Sequence, residues 1–139
     1  MKRIKKFKEF LNENKEFKTP VIAAFYQGKL LILKRGSTAP WMPNKWSLVG
    51  GSVDAGETPE EAAYRECVEE TGLKPKQLTY QYEKQTKSIG IIYYFTAKLS
   101  TNKIVLDYEN SEYAFISKSD IKKFDFVPHV EDFILSVLT

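Results

Sequence analysis

Residues 51–73 read G-S-V-D-A-G-E-T-P-E-E-A-A-Y-R-E-C-V-E-E-T-G-L, and this stretch decides how the rest of the chain is interpreted. Its middle carries a helix-start signal. Thr58 is a capping residue, Pro59 suits the first helical position, and Glu61 completes a capping box. The glycine before the final leucine is typical of a helix end. The sequence therefore predicts a helix over residues 59–71.

This helix carries three carboxylates on one face. Glu66, Glu69 and Glu70 lie at i, i+3 and i+4, a spacing that brings side chains together on a helix surface. Like charges at that spacing repel by about 0.2–0.5 kcal/mol per exposed pair. Arg65 is the only cation within the helix. Two interpretations follow: an ordinary solvated acidic face, or a site for a divalent cation whose oxygen ligands suit Mg²⁺ or Mn²⁺.

The remaining helix surface predicts what the helix packs against. The side opposite the glutamates, which we expect to be buried, consists of Tyr64, Cys67, Val68 and Thr71. Ala62 and Ala63 flank the acidic face. Because their side chains are small, the helix can lie close to another backbone, and the turn at Gly50 and Gly51 is the expected neighbour.

The same stretch has the form Gly-x5-Glu-x7-Arg-Glu-(apolar)-x-Glu-Glu-x-Gly-(apolar), with Cys67 and Leu73 at the apolar positions. This pattern resembles the signature box of the Nudix hydrolases. The seven fixed positions are occupied by Gly51, Glu57, Arg65, Glu66, Glu69, Glu70 and Gly72. A full match at this spacing is a specific signal, and it implies the fold of that family, an α/β/α sandwich with a mixed β-sheet.

The resemblance also implies a chemistry. Nudix hydrolases cleave diphosphate linkages in nucleoside diphosphates joined to another group, with Mg²⁺ or Mn²⁺ as cofactor. The residues that match the family's metal ligands are Glu66, Glu69, Glu70 and the carbonyl of Gly50. Arg65 is similar to the family arginine that orients a glutamate, and we group it with Glu66 and Glu69 as catalytic. Glu57 matches the first glutamate of the box, which in the family typically lies near the metals and holds neighbouring residues in place without being a ligand itself.

Members of the family often carry a further acidic residue outside the box. Residues 109–116, E-N-S-E-Y-A-F-I, are similar to the segment that supplies it. We predict Glu112 as an extra ligand or general base, with Glu109 as the second choice. The alternative is that Glu112 only marks the polar end of a strand.

The residues before the box bear on the substrate. Many MutT-like members have Phe-Pro-Gly-Gly where this chain has L-V-G-G at 48–51, and the proline expected after the box in ADP-ribose hydrolases is absent. These departures favour a nucleoside triphosphate, a (d)NTP or modified (d)NTP cleaved to the monophosphate and pyrophosphate. Nucleotide sugars, dinucleoside polyphosphates and RNA 5′ ends are alternatives. So is a Nudix-fold nucleotide or RNA sensor without catalysis, although such proteins usually lose box glutamates.

The loop over residues 35–45 leads to the glycines and is expected to contact the substrate. It carries Arg35 and Trp41, which we predict to bind the nucleotide. Trp41 either stacks on a base, a contact worth about 1–3 kcal/mol, or packs in the core. Trp46 is expected to be a core residue.

Length and composition indicate one ordinary domain. We take residues 1–139 as a single domain with its own hydrophobic core. The single cysteine, Cys67, excludes an intrachain disulfide and is expected to be a buried thiol. No stretch is long and apolar enough to span a membrane, and no secretory signal is recognised, so we expect a cytoplasmic location without a membrane partner.

The basic charge is concentrated at the N-terminus. Residues 1–18 hold seven Lys/Arg and three Glu, with Ile4, Phe7 and Leu11 at helical spacing. This pattern predicts an amphipathic N-terminal helical extension. We expect its apolar face to dock on the domain or on the partner subunit of a homodimer. Binding of a phosphate-rich ligand such as RNA is the alternative.

The rest of the chain alternates strand-like runs with turn signals. The predicted strands span residues 21–26, 29–34, 46–49, 78–87, 91–99, 104–106 and 113–116. Gln27 and Gly28 are expected to form a tight hairpin. A helical turn is predicted near Lys118, and residues 130–138 have the apolar spacing of an amphipathic helix. The sequence therefore predicts an α/β fold with helices on both sides of a mixed sheet.

Overall fold

A computed structural model of the protein describes residues 17–139, so the predicted N-terminal helix lies outside the described residues. The helices are α1 (Pro59–Thr71), a 3₁₀ helix (Lys118–Lys123) and α2 (Glu131–Val137). The strands are β1 (Lys18–Tyr26), β2 (Lys29–Arg35), β3 (Trp46–Ser47), β4 (Val49–Gly50), β5 (Lys76–Gln85), β6 (Ile91–Lys98) and β7 (Asn110–Ile116). Most of these elements agree with the sequence prediction to within two or three residues.

The turn between β1 and β2 is the predicted tight hairpin. Gln27 and Gly28 have φ values of 49° and 79°. Two consecutive left-handed residues define the type I′ turn, whose twist matches that of the flanking strands. The short run before the glycines, predicted as one strand, is divided into β3 and β4 on either side of Leu48.

The sheet is mixed and is organised around β1. This strand pairs in parallel with β6 and in antiparallel fashion with β2 and β4. β5 extends the sheet beyond β6, while β3 and β7 both pair with β2. Because β4 pairs with β1 through Val21 and Ile22, the glycine turn is held against the central strand.

Strand alternation divides the core into two layers. Val21 and Ala23 of β1 face the α2 side and pack with Phe133 and Ile134. Ile22 and Ala24 face the other side, where α1 contributes Ala63 and Cys67. Helices therefore cover both faces of the sheet, which confirms the predicted α/β/α sandwich.

The ends of α1 are formed by the predicted caps. The hydroxyl of Thr58 accepts a hydrogen bond from the Glu61 amide at 3.1 Å, and the Glu61 carboxylate accepts one from the Thr58 amide at 2.9 Å. Gly72 ends the helix with a left-handed φ of 76°. Each orphan donor satisfied in this way stabilises the helix by about 1 kcal/mol.

Two structural predictions were wrong. Tyr64 and Val68 are exposed. The buried face of α1 carries Glu66, Cys67 and Glu70, so Tyr64 and Val68 lie on the side of the helix that faces away from the sheet. Residues 104–106 form no strand. Their central amide, that of Val105, donates to the carbonyl of Thr71 at 3.0 Å, so this segment caps the end of α1 without joining the sheet. The expectation that Cys67 is buried is confirmed.

Within residues 17–139, no helix is both long enough and apolar enough to cross a membrane.

Phe133 should be a major contributor to the stability of the α2 layer. Its side chain is 1% exposed and lies 4.8 Å, between ring centroids, from Tyr94. Phe133→Ala leaves a cavity, so we expect the free energy of unfolding to fall by about 3–5 kcal/mol in urea titrations. Leu135→Ala, on the same helix but 43% exposed, is the matched control and should change it by about 0.5 kcal/mol or less. Equal losses in the two variants would contradict this packing.

Candidate metal and nucleotide site

The site begins with a close approach between α1 and the turn that follows β4. A Cβ atom added at Gly51 would overlap the carboxylate of Glu66, and one added at Gly50 would overlap the carbonyl of Pro20. Gly50 therefore requires glycine because backbone atoms occupy the space of a side chain, and a side chain at Gly51 would displace the Glu66 carboxylate. Ala62 and Ala63 are fully buried on the adjoining surface of α1, as small residues at a close contact.

The three box glutamates have different environments. Glu66 is 0% exposed and Glu70 is 6% exposed, whereas Glu69 lies at the solvent-facing side. One carboxylate oxygen of Glu70, Oε1, accepts a hydrogen bond from the Gly50 amide at 2.8 Å. Buried carboxylates are costly unless hydrogen bonds or cations compensate their charge. Two of the three glutamates are thus held in a setting that an ordinary surface helix lacks.

Arg65 links the acidic residues around the turn. Its Nε and Nη2 atoms donate to the two oxygens of Glu57 at 2.7 and 3.0 Å, a bidentate pair. Nη1 donates to Glu66 at 3.2 Å and to Glu69 at 3.0 Å. Nη2 also donates to the carbonyl of Ser52 at 2.9 Å, which ties the helix to the loop before it.

These contacts shift the ionisation of both partners. Hydrogen bonds from Arg65 lower the pKa of Glu57 below its usual value of 4.5, with a further contribution from the Asp54 amide. The same pairing with Glu57 raises the pKa of Arg65 above its ordinary value. Arg65 therefore stays charged, Glu57 stays ionised, and the guanidinium has a fixed direction from which it reaches Glu66 and Glu69.

A second group of acids comes from the loop before β7. Carboxylate oxygens of Glu70, Asp107 and Glu109 lie within 4.8 Å of one another. The loop is fixed on its other side by the Gly36 amide, which donates to the Glu109 carbonyl at 3.0 Å. Sequence reasoning ranked Glu109 second and missed Asp107. The run D-Y-E-N at 107–110 was a signal, because alternate acidic residues in a short loop can turn toward one point.

Glu112, the first choice for the extra acid, lies elsewhere. Its side chain is 59% exposed and pairs with Lys34 at 3.3 Å. Along β7, Ala114 and Ile116 pack in the α2-side core, and strand alternation gives Glu112 the same face. That face is opposite the one covered by α1. The structure therefore corrects the sequence-based ranking and brings Glu109, not Glu112, to the box glutamates.

The donor set fits a hard divalent cation. Ionised carboxylates at separations near those within the acidic group repel by on the order of 3–4 kcal/mol per pair at an effective dielectric constant of ~20. A cation bound to their oxygens removes that repulsion, and Mg²⁺ and Mn²⁺ prefer oxygen ligands. Among the described residues, the carboxylates close enough together to share such an ion are those of Glu70, Asp107 and Glu109.

A cavity of about 170 Å³ opens beside this acidic group and is lined by Gly50, Gly51, Glu70 and Glu109 at one end. Its apolar walls are formed by Val21, Leu48, Ile92, Val127 and Val130. Glu70 and Glu109 bring charged oxygen atoms to the cavity, the two glycines bring backbone, and the five apolar residues bring hydrocarbon. A ligand with an apolar part and an anionic part would match this lining once a divalent cation lies between the anion and the carboxylates.

The two predicted substrate residues lie together at this cavity. Arg35 Nε donates to the Trp41 carbonyl at 2.7 Å, and the Arg35 guanidinium carbon lies 5.4 Å from the centre of the Trp41 ring. Both residues line the cavity. Trp41 is also partly buried against the α2-side core. Trp46 packs against the same core, edge-on to Phe124 with ring centroids 4.9 Å apart, in agreement with its expected core role.

Comparison with protein families gives one match along most of the chain. The family model described as NUDIX domain matches residues 17–136. The matched range includes all of the acidic residues described above.

Two kinds of curated relative are similar to this chain. It is 29% identical to the nucleoside triphosphatase NudI of Klebsiella pneumoniae over 114 residues, which cover 71% of this chain and 80% of that protein. It is 56% identical to the RNA pyrophosphohydrolase of Aeromonas hydrophila, but over only 36 residues. That match spans 26% of this chain and 21% of the relative, so the chain covers about a fifth of the length of the latter.

Solved structures share the fold. The MutT protein of Methanosarcina mazei has a TM-score of 0.69 over 87% of this chain and 91% of its own, at 24% identity. A NUDIX family hydrolase of Clostridium perfringens has a TM-score of 0.73 over 88% of this chain and 96% of its own, at 18% identity. At these identities the likeness concerns the fold alone.

The contacts of Arg65 predict a pH-dependent contribution to stability. The pKa of Glu57 is lowered in the folded protein, so the pair stabilises the fold above the ordinary value of 4.5 and this stabilisation is lost as the pH falls through the lowered pKa. Arg65→Gln should reduce Tm by about 5 °C or more at pH 7. The difference from wild type should narrow as the pH is lowered toward 3 in thermal scans.

Lys74→Gln serves as the control, because Lys74 is an exposed cation just beyond the same helix. It should shift Tm by about 1 °C or less at every pH. A Tm difference for Arg65→Gln that stays constant with pH would contradict the role assigned to the Glu57 pair.

Proposed function

The chain belongs to the Nudix hydrolase family, and on that premise we propose that it is a divalent-metal-dependent hydrolase that cleaves a diphosphate linkage of a nucleotide. The observation that carries this proposal is the pair of buried glutamates, Glu66 and Glu70, aimed at a glycine turn beside a cavity with apolar walls. Burying two carboxylates is costly unless their charge is compensated; Arg65 contacts Glu66, and a divalent cation would compensate the remaining charge. The cavity supplies space for a nucleoside next to that cation.

We assign the metal ligands to Glu66, Glu69, Glu70 and the Gly50 carbonyl, with Glu109 as the acid from outside the box. Mg²⁺ is the proposed ion, and Mn²⁺ has the same ligand preferences. When bound, the ion would neutralise the diphosphate and lower the pKa of a coordinated water. Glu66 and Glu69, oriented by Arg65, are the candidates for accepting the proton of that water, and Glu57 holds Arg65 in place.

The nucleoside part of the substrate would occupy the apolar end of the cavity. The Trp41 ring offers a face for a base, and Arg35 fixes the loop that carries this ring through its hydrogen bond to the Trp41 carbonyl. A diphosphate extending from the nucleoside would then reach Glu70 and the glycine turn. Substrate orientation in this scheme depends on apolar contact at one end and charge at the other.

We propose a nucleoside triphosphate or modified (d)NTP as substrate, hydrolysed to the monophosphate and pyrophosphate. The similarity to NudI supports this choice, because it extends over most of both chains. The second candidate is the 5′ end of RNA, supported by the 56% identity over 36 residues to an RNA pyrophosphohydrolase. Nucleotide sugars and dinucleoside polyphosphates are further alternatives, and a non-catalytic sensor is disfavoured because all box glutamates are present.

Four features stay predictions. The cytoplasmic location rests on the type of protein and on the sequence. The predicted N-terminal helix with its role, and the homodimer, rest on the sequence pattern in residues 1–18 alone. The family model matches residues 17–136, so the inclusion of residues 1–16 and 137–139 in the same domain stays a prediction.

Removal of the Glu70 charge tests the metal assignment. Glu70→Gln keeps the side-chain shape but removes the negative charge, so we expect turnover of the preferred substrate with Mg²⁺ to fall by about 100-fold or more. Turnover is measured as phosphate or pyrophosphate release across (d)NTPs, modified dNTPs, nucleotide sugars, dinucleoside polyphosphates and triphosphorylated RNA.

Glu112→Gln is the matched control, because Glu112 is exposed on the opposite face of the sheet. It should leave turnover within about twofold of wild type. Full activity in Glu70→Gln would refute the proposed chemistry. Loss of activity in Glu112→Gln would restore the original sequence-based choice of Glu112.

The proposed role of Trp41 predicts a change in KM. Trp41→Ala removes a stacking face worth about 1–3 kcal/mol, so KM should rise by about 5- to 150-fold while kcat changes little. Trp41→Phe, which retains an aromatic face, should recover most of the affinity. A loss of kcat at unchanged KM in both variants would be inconsistent with base stacking.

A further inference from the structure

Asn110, the first residue of β7, connects the helix carboxylates with those of the loop. Its Nδ2 atom donates to Glu70 Oε2 at 3.2 Å and to Asp107 Oδ1 at 3.3 Å. We propose that Asn110 is a positioning residue of the metal site, whose amide holds Glu70 and the loop acids Asp107 and Glu109 in one cluster. This inference rests on the proposed function, because it concerns the same carboxylates.

The first argument is the orientation of Glu70. Oε1 of its carboxylate accepts from the Gly50 amide at 2.8 Å, and Oε2 accepts from Asn110. Each oxygen therefore has a neutral donor on a different strand, one on β4 and one on β7. Two donors on opposite oxygens fix the plane of the carboxylate.

The second argument is charge. Asn110 lies among three carboxylates whose oxygens are within 4.8 Å of one another. An amide can donate to two of them at once without carrying a positive charge. A lysine or arginine in its place would neutralise the group and compete with a divalent cation. The neutral amide thus holds the acids together without adding a positive charge of its own.

The third argument is the position of Asn110 in the sheet. It pairs with Arg35 at an irregularity of the β2–β7 ladder, where the register shifts between Lys34 and Arg35. The preceding residue, Glu109, accepts from the Gly36 amide through its carbonyl. One short turn therefore contacts both α1 and the start of the loop that carries Trp41. Displacement of this turn should affect ion binding and nucleotide binding together.

The test uses the full chain and Mn²⁺ as the probe. Asn110→Leu has nearly the same size but donates no hydrogen bond, so we expect the dissociation constant for Mn²⁺, measured by calorimetry, to rise by about 10- to 100-fold. Asn110→Asp exchanges the donor for a fourth carboxylate. Its Tm should lie below that of wild type in EDTA, and saturating Mn²⁺ should recover most of the difference, because the added charge then faces a cation.

The matched control is Asn102, an exposed asparagine in the same connection between β6 and β7. Asn102→Leu and Asn102→Asp should bind Mn²⁺ as wild type does and show no metal-dependent difference in Tm. Far-UV circular dichroism verifies that each variant folds. Asn110→Ser, a smaller change without the bridging amide, replaces Asn110→Leu if that variant does not fold, with the same expected loss of affinity.

The outcomes separate this inference from the function on which it rests. Equal Mn²⁺ affinity in wild type and both Asn110 variants would overturn the positioning role and leave the metal site standing. A Tm loss of the same size with and without Mn²⁺ would also overturn it, because it would indicate packing alone. If wild type itself neither binds Mn²⁺ nor gains Tm from it, the proposed metal site fails, and the role of Asn110 fails with it.

Discussion

The close approach of α1 to the turn after β4 is the constraint on which the site depends. A side chain at Gly51 would occupy the space of the Glu66 carboxylate, and a side chain at Gly50 would meet the backbone of β1. Because both positions are glycine, α1 can approach the turn closely enough to bury the carboxylates of Glu66 and Glu70. The same contact gives Glu70 a backbone donor and forms one end of the cavity. Backbone geometry therefore determines the electrostatics of the site.

Arg65 and Asn110 both donate hydrogen bonds to the clustered carboxylates, but only Arg65 carries a charge. Arg65 has a planar, permanently charged guanidinium group. It donates hydrogen bonds to Glu57, Glu66, Glu69 and the carbonyl of Ser52. Asn110 is neutral, and its side-chain amide donates to Glu70 and Asp107. One side of the acidic group is thus fixed by a permanent positive charge. On the other side, a neutral amide holds two of the acids without adding a positive charge.

The sequence predicted local features well and environments less well. Each end of the helix, at residues 59 and 71, is determined by capping residues that are close to it in sequence. The prediction was therefore correct at both ends. The hairpin at Gln27 and Gly28 was correct for the same reason. The burial of Glu66 and Glu70 depends on how near the turn lies, which is a tertiary property. The helical wheel assigned Tyr64, Cys67, Val68 and Thr71 to the buried face, which is correct for Cys67 and Thr71 and wrong for Tyr64 and Val68. The choice between Glu109 and Glu112 likewise depended on a strand face and on a loop conformation that no local pattern determines.

The two-layer core has a consequence for how this protein can change over evolutionary time. The apolar walls of the cavity, such as Val21, Ile92 and Val130, belong to the α2 layer, whereas α1 and its acids stand on the other layer. Substitutions that reshape the cavity therefore act on side chains that do not pack against the acidic helix. Selection can adjust which molecule is recognised while the reactive groups keep their neighbours. The sheet thus separates the apolar side chains that shape the cavity from the helix that carries the box glutamates.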